Sequence, residues 1–445
     1  MPCARTARWD SMAVNDVKRQ GRKRIEKSSA PATATPPFAA KNPVAVISRR
    51  AADRLRAGHV WVYRSDVVET PEDAPGLLPV VDQRGILLGT ALYSPASEIA
   101  LRLISTELVA DEAAWLDLLN TRLRAAIAQR TSILASADTD ACRLVFSEAD
   151  ALPGIIVDKY GELVIVQLLT RALDNEAVRI VVTQVLRSAV HPATIPETIW
   201  ERPDARIREL EQLTVPLDGA PLYAKGEPVT RTVFRLNGLS FHYDAGAGQK
   251  TGAFLDQREN YAAAARYGHG EALDVCTYQG GFALHLAKSC RRVTGVDVSR
   301  AALEVAEQNL SLNRDALKGS EVDWIEANAF DLLRDWSDSG AVYDTVVLDP
   351  PAFAKSKRAV EGALRGYKEL NLRALRMLRP GGVLVTCSCS HHVSLADFTA
   401  VVASAAGDAR RRVRLVERRG AAADHPVVLT IPETEYLKCL VCAVD

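Results

Sequence analysis

No stretch of this 445-residue chain approaches the roughly 18 consecutive apolar residues that a membrane span needs. The opening residues also lack a charged-then-apolar leader with a small-residue cleavage site, so no membrane association and a cytoplasmic location are expected. Net charge is absent too: 55 Lys and Arg balance 55 Asp and Glu, and any polyanionic partner has to be argued from local clusters. Eight scattered cysteines are too few for a disulfide framework, and in the expected compartment they stay reduced. What is present is ordinary for a globular protein, 48% hydrophobic and 25% charged residues, which excludes global disorder and fibrous architectures. The length predicts two or three domains.

Local charge does cluster. The first thirty residues carry eight Lys or Arg against three acids, and 355–379 carries eight against Glu361 and Glu369. A solvated tail or face accounts for such runs as well as a nucleic-acid contact does. Residues 1–42, basic and then rich in Ala, Pro, Ser and Thr, read as a disordered tail. Several short apolar runs with turn signals over 43–108 (VAVIS, HVWVY, GLLPVVD, ILLGTALYS, IALRLIS) predict a small β-barrel module. Over 109–240 a helix opening at Asp111, with Leu116, Leu119, Leu123, Ile127 and Leu134 at helical spacing, is followed by strands, a hairpin around Gly161 and a second helix, an α+β layer.

From 241 to 445 the pattern changes. Apolar runs EALDVC, VTGVDVS, VDWIEA, DTVVLDP and GVLVTCS alternate with helix-length segments, which predicts a Rossmann-like, doubly wound α/β domain with its ligand at the carboxyl ends of the strands. Two closing runs, RRVRLVERR and EYLKCLVCAV, add strands. The Cys439 and Cys442 pair in the latter resembles half a metal site, but residues three apart on a strand point to opposite faces and no second pair stands nearby, so no metal is expected.

The first of these strands ends LDVCTYQGGF, placing Asp274 before Tyr278, Gly280, Gly281 and Phe282, a turn where the backbone can approach a ligand. The GxGxxG spacing of dinucleotide enzymes is missing, which argues against a nicotinamide dehydrogenase. Asp297, twenty-three residues beyond Asp274, stands where such folds set an acid on ribose hydroxyls, and Asn328, followed by Ala329, could meet an adenine edge. An adenosyl cofactor is the natural reading. DVCTYQGGF, GVDVS, LDPPAF and LVTCSCSHH, in that order, resemble the class I S-adenosylmethionine-dependent methyltransferases. More narrowly, YDAGAGQKTGAFLDQREN, RLVFSEADALPGIIVDKYGELVIVQ and ERPDARIRELE resemble the bacterial 23S rRNA cytosine-5 methyltransferase family with an N-terminal PUA domain, over about 43–445.

The resemblance implies S-adenosylmethionine as cofactor, lined by Gln249, Lys250, Thr251, Phe254, Asp256, Gln257 and Arg258, with Lys250 or Arg258 able to neutralise its carboxylate. Asp349, Pro350, Pro351 and Phe353 are similar to the fourth-strand signature of enzymes that methylate exocyclic amines, with Phe353 available to stack on a base. Cys389 matches the family's nucleophilic cysteine, whose thiolate would add to cytosine carbon 6 while Asp349 holds the base; Cys387 is expected in the core. Pro351 stands where two-cysteine enzymes carry their second cysteine, so the group removing the carbon-5 proton stays open among His391, His392 and water. Asn328 departs from an Asp common among relatives.

HVWVYRSDV resembles the opening of a PUA domain, making Arg49, Arg50, Arg54, Arg56, His59 and Arg64 candidates for phosphate contact and Trp61 a core residue. The implied partner is 23S rRNA or a large-subunit assembly intermediate, with a homodimer left open. Two alternatives stand beside cytosine-5 chemistry: methylation of a guanine nitrogen without a covalent adduct, and a noncatalytic RNA-binding or assembly factor.

Overall fold

The computed structural model describes residues 43–72, 76–188, 195–214, 220–246, 253–354 and 356–445. The expected tail at 1–42, and Gln249, Lys250 and Thr251 of the cofactor segment, lie outside the described residues.

Strands β1 (Ala45–Ile47), β2 (Trp61–Tyr63), β3 (Val67–Glu69), β4 (Leu77–Asp82), β5 (Leu87–Tyr93) and β6 (Ile99–Ser105) form one six-stranded sheet in the order β2-β6-β5-β4-β1-β3. Ile47, Leu55, Val62, Leu78, Val80 and Leu101 pack together in one core, while Leu92 of β5 and Ile104 of β6 join the core of the region that follows.

The next helix, Glu112–Gln129, is capped by Asp111, whose carboxylate accepts from the Ala114 amide at 2.9 Å. Leu119, Leu123 and Ile127 repeat at i, i+4 and i+8, so all three reach one face and are fully buried. Burial of each is worth about 1.5–3 kcal/mol. They cover a second sheet of β7 (Ala141–Phe146), β8 (Ile155–Tyr160), β9 (Leu163–Leu168), β10 (Thr198–Glu201) and β11 (Tyr223–Ala224), ordered β11-β10-β9-β8-β7. The expected hairpin is the β8–β9 pair, turning at Gly161 with φ +52°.

A separate hairpin, β12 (Arg231–Leu236) with β13 (Leu239–Asp244), follows. The domain boundary expected at 240 falls inside its second strand. Phe234, Leu236 and Tyr243 of this hairpin share one core with Tyr160 and Ile165 of the second sheet and with Tyr261, Phe282 and Val385 further on, so no clean seam runs between these regions.

The last sheet has seven strands: β14 (Glu271–Val275), β15 (Arg292–Asp297), β16 (Glu321–Glu326), β17 (Tyr343–Leu348), β18 (Leu378–Ser388), β19 (Val413–Arg419) and β20 (Lys438–Val444). The order is β16-β15-β14-β17-β18-β20-β19, with β20 antiparallel to both neighbours and the other pairings parallel. This is the expected doubly wound fold. Strand order reverses between β14 and β17, and at such a switch point the diverging loops leave a crevice at the carboxyl ends. Asp274, Asp297, Asn328, Asp349 and Cys389 all stand at that edge, each at or just beyond the end of its strand.

Candidate active site

The loop after β14 is held open by its own polar groups. Asp274 is fully buried, and its Oδ2 accepts from Thr277 Oγ1 at 2.5 Å and from the Ala283 amide at 2.9 Å, while its Oδ1 has no partner among the described residues. Burial pushes this carboxyl up to about 7 against the pull of those two bonds. Cys276 and Tyr278 adopt φ of +64° and +51°, and Gly280 +84°, a run of left-handed residues that turns the chain sharply into the helix Gly281–Leu286. A Cβ on Gly281 would lie 2.6 Å from the Tyr261 ring, so only glycine fits there.

Asp297 ends β15 half-buried, with Oδ2 accepting from the Tyr278 amide and Oδ1 from the Ser299 amide, both at 2.9 Å. Next to it Val298 is 70% exposed, and Phe330, in the first turn of the helix Ala329–Ser339, is 37% exposed. Two apolar side chains left in solvent at a strand-end crevice are suited to the faces of a planar ring. Val298 and Phe330 were missed in the sequence; the signal for the first is a valine directly after a strand-terminal aspartate.

Asn328 caps the helix Ala329–Ser339, its Oδ1 accepting from the Phe330 and Asp331 amides at 2.9 and 3.4 Å. Its side-chain oxygen is thereby engaged by the helix start. Phe282 is corrected: it is 3% exposed and packs edge-on against Tyr261, centroids 4.7 Å apart, inside the core. Phe254, by contrast, is 45% exposed and meets Tyr278 edge-on at 5.2 Å.

Arg258 is the largest revision. It is 4% exposed and pairs with both oxygens of buried Asp424 at 2.8 and 3.0 Å, so its charge is spent inside the protein and is not presented to a cofactor carboxylate. The same Asp424 accepts from the Arg143 amide at 2.8 Å, and its backbone carbonyl accepts from Arg130 at 3.1 Å. Burial alone would raise the Asp424 carboxyl, but His425 and Arg258 hold it well below the usual carboxylate range. Its neighbours in the turn behave otherwise. Asp256 accepts from Tyr436 Oη at 2.6 Å, and Gln257 Nε2 donates to Asp349 Oδ2 at 2.9 Å. Gln257 is itself oriented by Asn260, whose amide nitrogen donates to Gln257 Oε1 at 2.6 Å.

Asp349 follows β17 and lines the crevice. Burial, with Asp256 and Asp274 adding negative charge, pushes its carboxyl up to about 8, opposed by the Gln257 bond. Pro350 is buried and Pro351 exposed. Phe353 is half-buried, its ring 4.7 Å from Tyr367 and 5.8 Å from Phe330, so part of the surface expected for stacking is taken up by packing.

Cys389 emerges half-buried one residue past β18. Cys387 is fully buried opposite Cys439, as expected of a core thiol. Around Cys389, Tyr367 Oη bonds Ser388 and Ser390 hydroxyls at 2.9 Å each, and the His391 ring lies 5.5 Å from that of Tyr436. His391 and His392 are exposed. Cys439 and Cys442 are buried in β20, and no cluster of metal-ligating side chains occurs among the described residues.

In the N-terminal sheet the expected phosphate-contacting residues mostly face carboxylates. Arg50 and Arg54 pair with Asp66 at 2.9 and 3.0 Å, Arg56 with Asp82 at 2.7 Å, Arg49 with Asp53 at 3.8 Å and Arg64 with Glu98, while His59 meets Glu433 at 3.1 Å. Trp61 is half-buried at a domain contact, its indole nitrogen donating to Glu148 at 2.9 Å. No helix among the described residues is long and apolar enough to cross a membrane.

A PUA-like domain model matches residues 46–106 and an S-adenosylmethionine-dependent methyltransferase model matches 162–439. A ribosomal RNA large subunit methyltransferase I from Pseudoalteromonas translucida is 36% identical over 397 residues, 88% of this chain and 96% of the relative. The chain belongs to this methyltransferase family. A second member, from Klebsiella pneumoniae, is 34% identical over 90% of this chain and 98% of its own. SMU.776, a putative methyltransferase solved with SAH, shares the fold at a TM-score of 0.74 and 19% identity, covering 90% of this chain and all of that one. The family's cofactor is S-adenosylmethionine. The crevice fits it: the glycine turn that admits no Cβ at Gly281, the unpartnered buried oxygen of Asp274, and the exposed Val298 and Phe330 together offer a close backbone approach, a polar contact and apolar walls.

Proposed function

We propose that the protein methylates carbon 5 of a cytosine in 23S rRNA through a covalent Cys389 adduct. The observation that carries this reading is Asp349 beside Cys389's strand end with its carboxyl raised to about 8. A neutral carboxyl has one donor and one acceptor, matching cytosine, whose ring nitrogen accepts and whose amine donates; guanine's two adjacent donors call for an ionised carboxylate. Support for the rRNA substrate comes from the relatives' names and the PUA-like domain.

S-adenosylmethionine supplies an electrophilic methyl group when bound. Tyr278, Gly280, Gly281, Asp274, Asp297, Val298, Ala329 and Phe330 would hold it, with Phe254 beside Tyr278. Cytosine carbon 5 is a weak nucleophile until a thiolate adds at carbon 6. Cys389 makes that bond, and Asp349 passes a proton toward the ring nitrogen as charge accumulates there, with Gln257 keeping the carboxyl in place. Pro350 and Pro351 stiffen the turn that carries Asp349. Once carbon 5 is methylated its proton departs to water, the carbon–sulfur bond breaks, and the ring nitrogen returns its proton to Asp349.

The test is methyl transfer from labelled S-adenosylmethionine to 23S rRNA with nucleoside mass spectrometry, for the parent and Cys389→Ala. Label in 5-methylcytidine that vanishes in the variant is expected. Label in a methylguanosine, or 5-methylcytidine that survives the substitution, would sink the covalent reading.

A further inference from the structure

Lys438 opens β20, in register with Ser388 of β18, and is 4% exposed. Its ammonium donates to the carbonyls of Ser390 and Tyr436, both at 2.7 Å, and the first of these belongs to the residue directly after Cys389. Among the described residues, lysine ion pairs are formed by Lys225 with Glu197 and Lys368 with Asp408; Lys438 is buried without such a carboxylate. Removing an ammonium from water costs several kcal/mol, and two carbonyls offset only part of that. Burial accordingly draws Lys438 down to about 8, with Cys389 the foremost opposing group and Glu435 the second. Cys389 also faces the phenols of Tyr367, from the helix Val360–Met377, and of Tyr436; burial raises both, so they stay neutral. His391, two residues on, sits against the Tyr436 ring.

We propose that Lys438 is the positioning residue that holds Cys389 as a thiolate, its ammonium fixed by the Tyr436 carbonyl and by the carbonyl of Ser390, the residue next to the one that carries the sulfur. This deepens the cytosine-5 reading and rests on it. The thiol proton passes to solvent water on the half-exposed side of Cys389. The sulfur pair then forms the bond to carbon 6, and the carbon 5–carbon 6 π pair becomes available to bond the incoming methyl. On elimination carbon 5 gives its proton to water, the C–H pair restores the double bond, and the C–S pair returns to sulfur. Lys438 keeps its protons throughout and stabilises the sulfur charge at the beginning and the end of the cycle.

The test uses the full-length protein without rRNA or cofactor. Iodoacetamide labelling of the Cys389 peptide, quantified by mass spectrometry between about pH 5.5 and 9.5, reads the thiolate fraction. The parent is expected to label at a rate already near its plateau at neutral pH. Lys438→Met should label about tenfold more slowly at pH 7 and converge with the parent at the alkaline end, while Lys438→Arg should restore the parent profile. A parent profile with its midpoint near the ordinary thiol value of about 8.5 overturns the proposal without any variant, so a Lys438→Met protein that fails to fold leaves it testable. Equal profiles for parent and a folded Lys438→Met overturn it as well. The covalent cytosine-5 reading fails separately, through a labelled methylguanosine made by the parent or 5-methylcytidine still made by Cys389→Ala, and either result leaves the labelling profile of the parent untouched.

Discussion

Asp349 carries two opposed consequences of one carboxyl. Its proton is retained in the folded chain up to about pH 8 and is released from the unfolded chain near 3.8, so the folded state binds the extra proton between those values and loses stability as pH rises through them. Asp349→Asn is therefore expected to be more stable than the parent at pH 8, on the order of 1–3 kcal/mol by urea unfolding, with the difference fading by pH 4. The same variant can still bond a cytosine edge but has no proton to deliver, and kcat should fall about 10²–10⁴-fold with a smaller change in KM. The strand-terminal Asp274, Asp297, Asp349 and Cys389 were legible in the sequence because alternation of strands and helices alone sends every strand's carboxyl end to one edge. Arg258 and Lys438 were not: their partners Asp424 and Ser390 lie 166 and 48 residues away, and local pattern carries no information about such pairings. Asn328 carries a second signal that the sequence reading did not use, since an Asn two residues past a strand and directly before a helix is a capping signal in its own right.

Two connecting elements set the geometry. The turn from β14 into the helix Gly281–Leu286 depends on a glycine that cannot carry a Cβ; Gly281→Ala forces an atom to 2.6 Å from the Tyr261 ring, and either Tyr261 or the turn must shift. Affinity for S-adenosylmethionine, measured by calorimetry, should fall at least tenfold while the variant's far-UV spectrum stays that of the parent. The connection between β19 and β20 works differently. Its Asp424 ties together Arg258, the Arg143 amide and, through its carbonyl, Arg130, which itself grips Asp150 with two bonds of 2.8 Å. Asp424→Ala leaves the Arg258 guanidinium buried without a counter-charge, and a loss of about 3–5 kcal/mol in denaturant unfolding is expected. The composition of this connection, Gly-Ala-Ala-Ala-Asp-His-Pro, reads as an ordinary loop; its role comes from where the flanking strands deliver it.

At the scale of the molecule, the N-terminal sheet has a core of its own on one side and lends Leu92 and Ile104 to the core under the helix Glu112–Gln129, while the second sheet, the β12–β13 hairpin and the last sheet share another. In calorimetry S-adenosylmethionine should raise the transition of the sheet that binds it by RT ln(1 + [L]/Kd). The doubly wound class was readable from periodicity; the shared core was not, because the residues that join it, Tyr160, Phe234 and Phe282, each satisfy their own strand or helix pattern equally well. One feature of the last sheet bears on how the chain is made. β20 is synthesised after β19 but lies between it and β18, paired to both. Until β20 leaves the ribosome, β19 has no strand to join and Cys389 has no Lys438 beside it. Vectorial synthesis thus brings Lys438 in after the cysteine it serves, and nascent chains stalled before residue 438 would carry a complete glycine turn with a thiol still in its resting state.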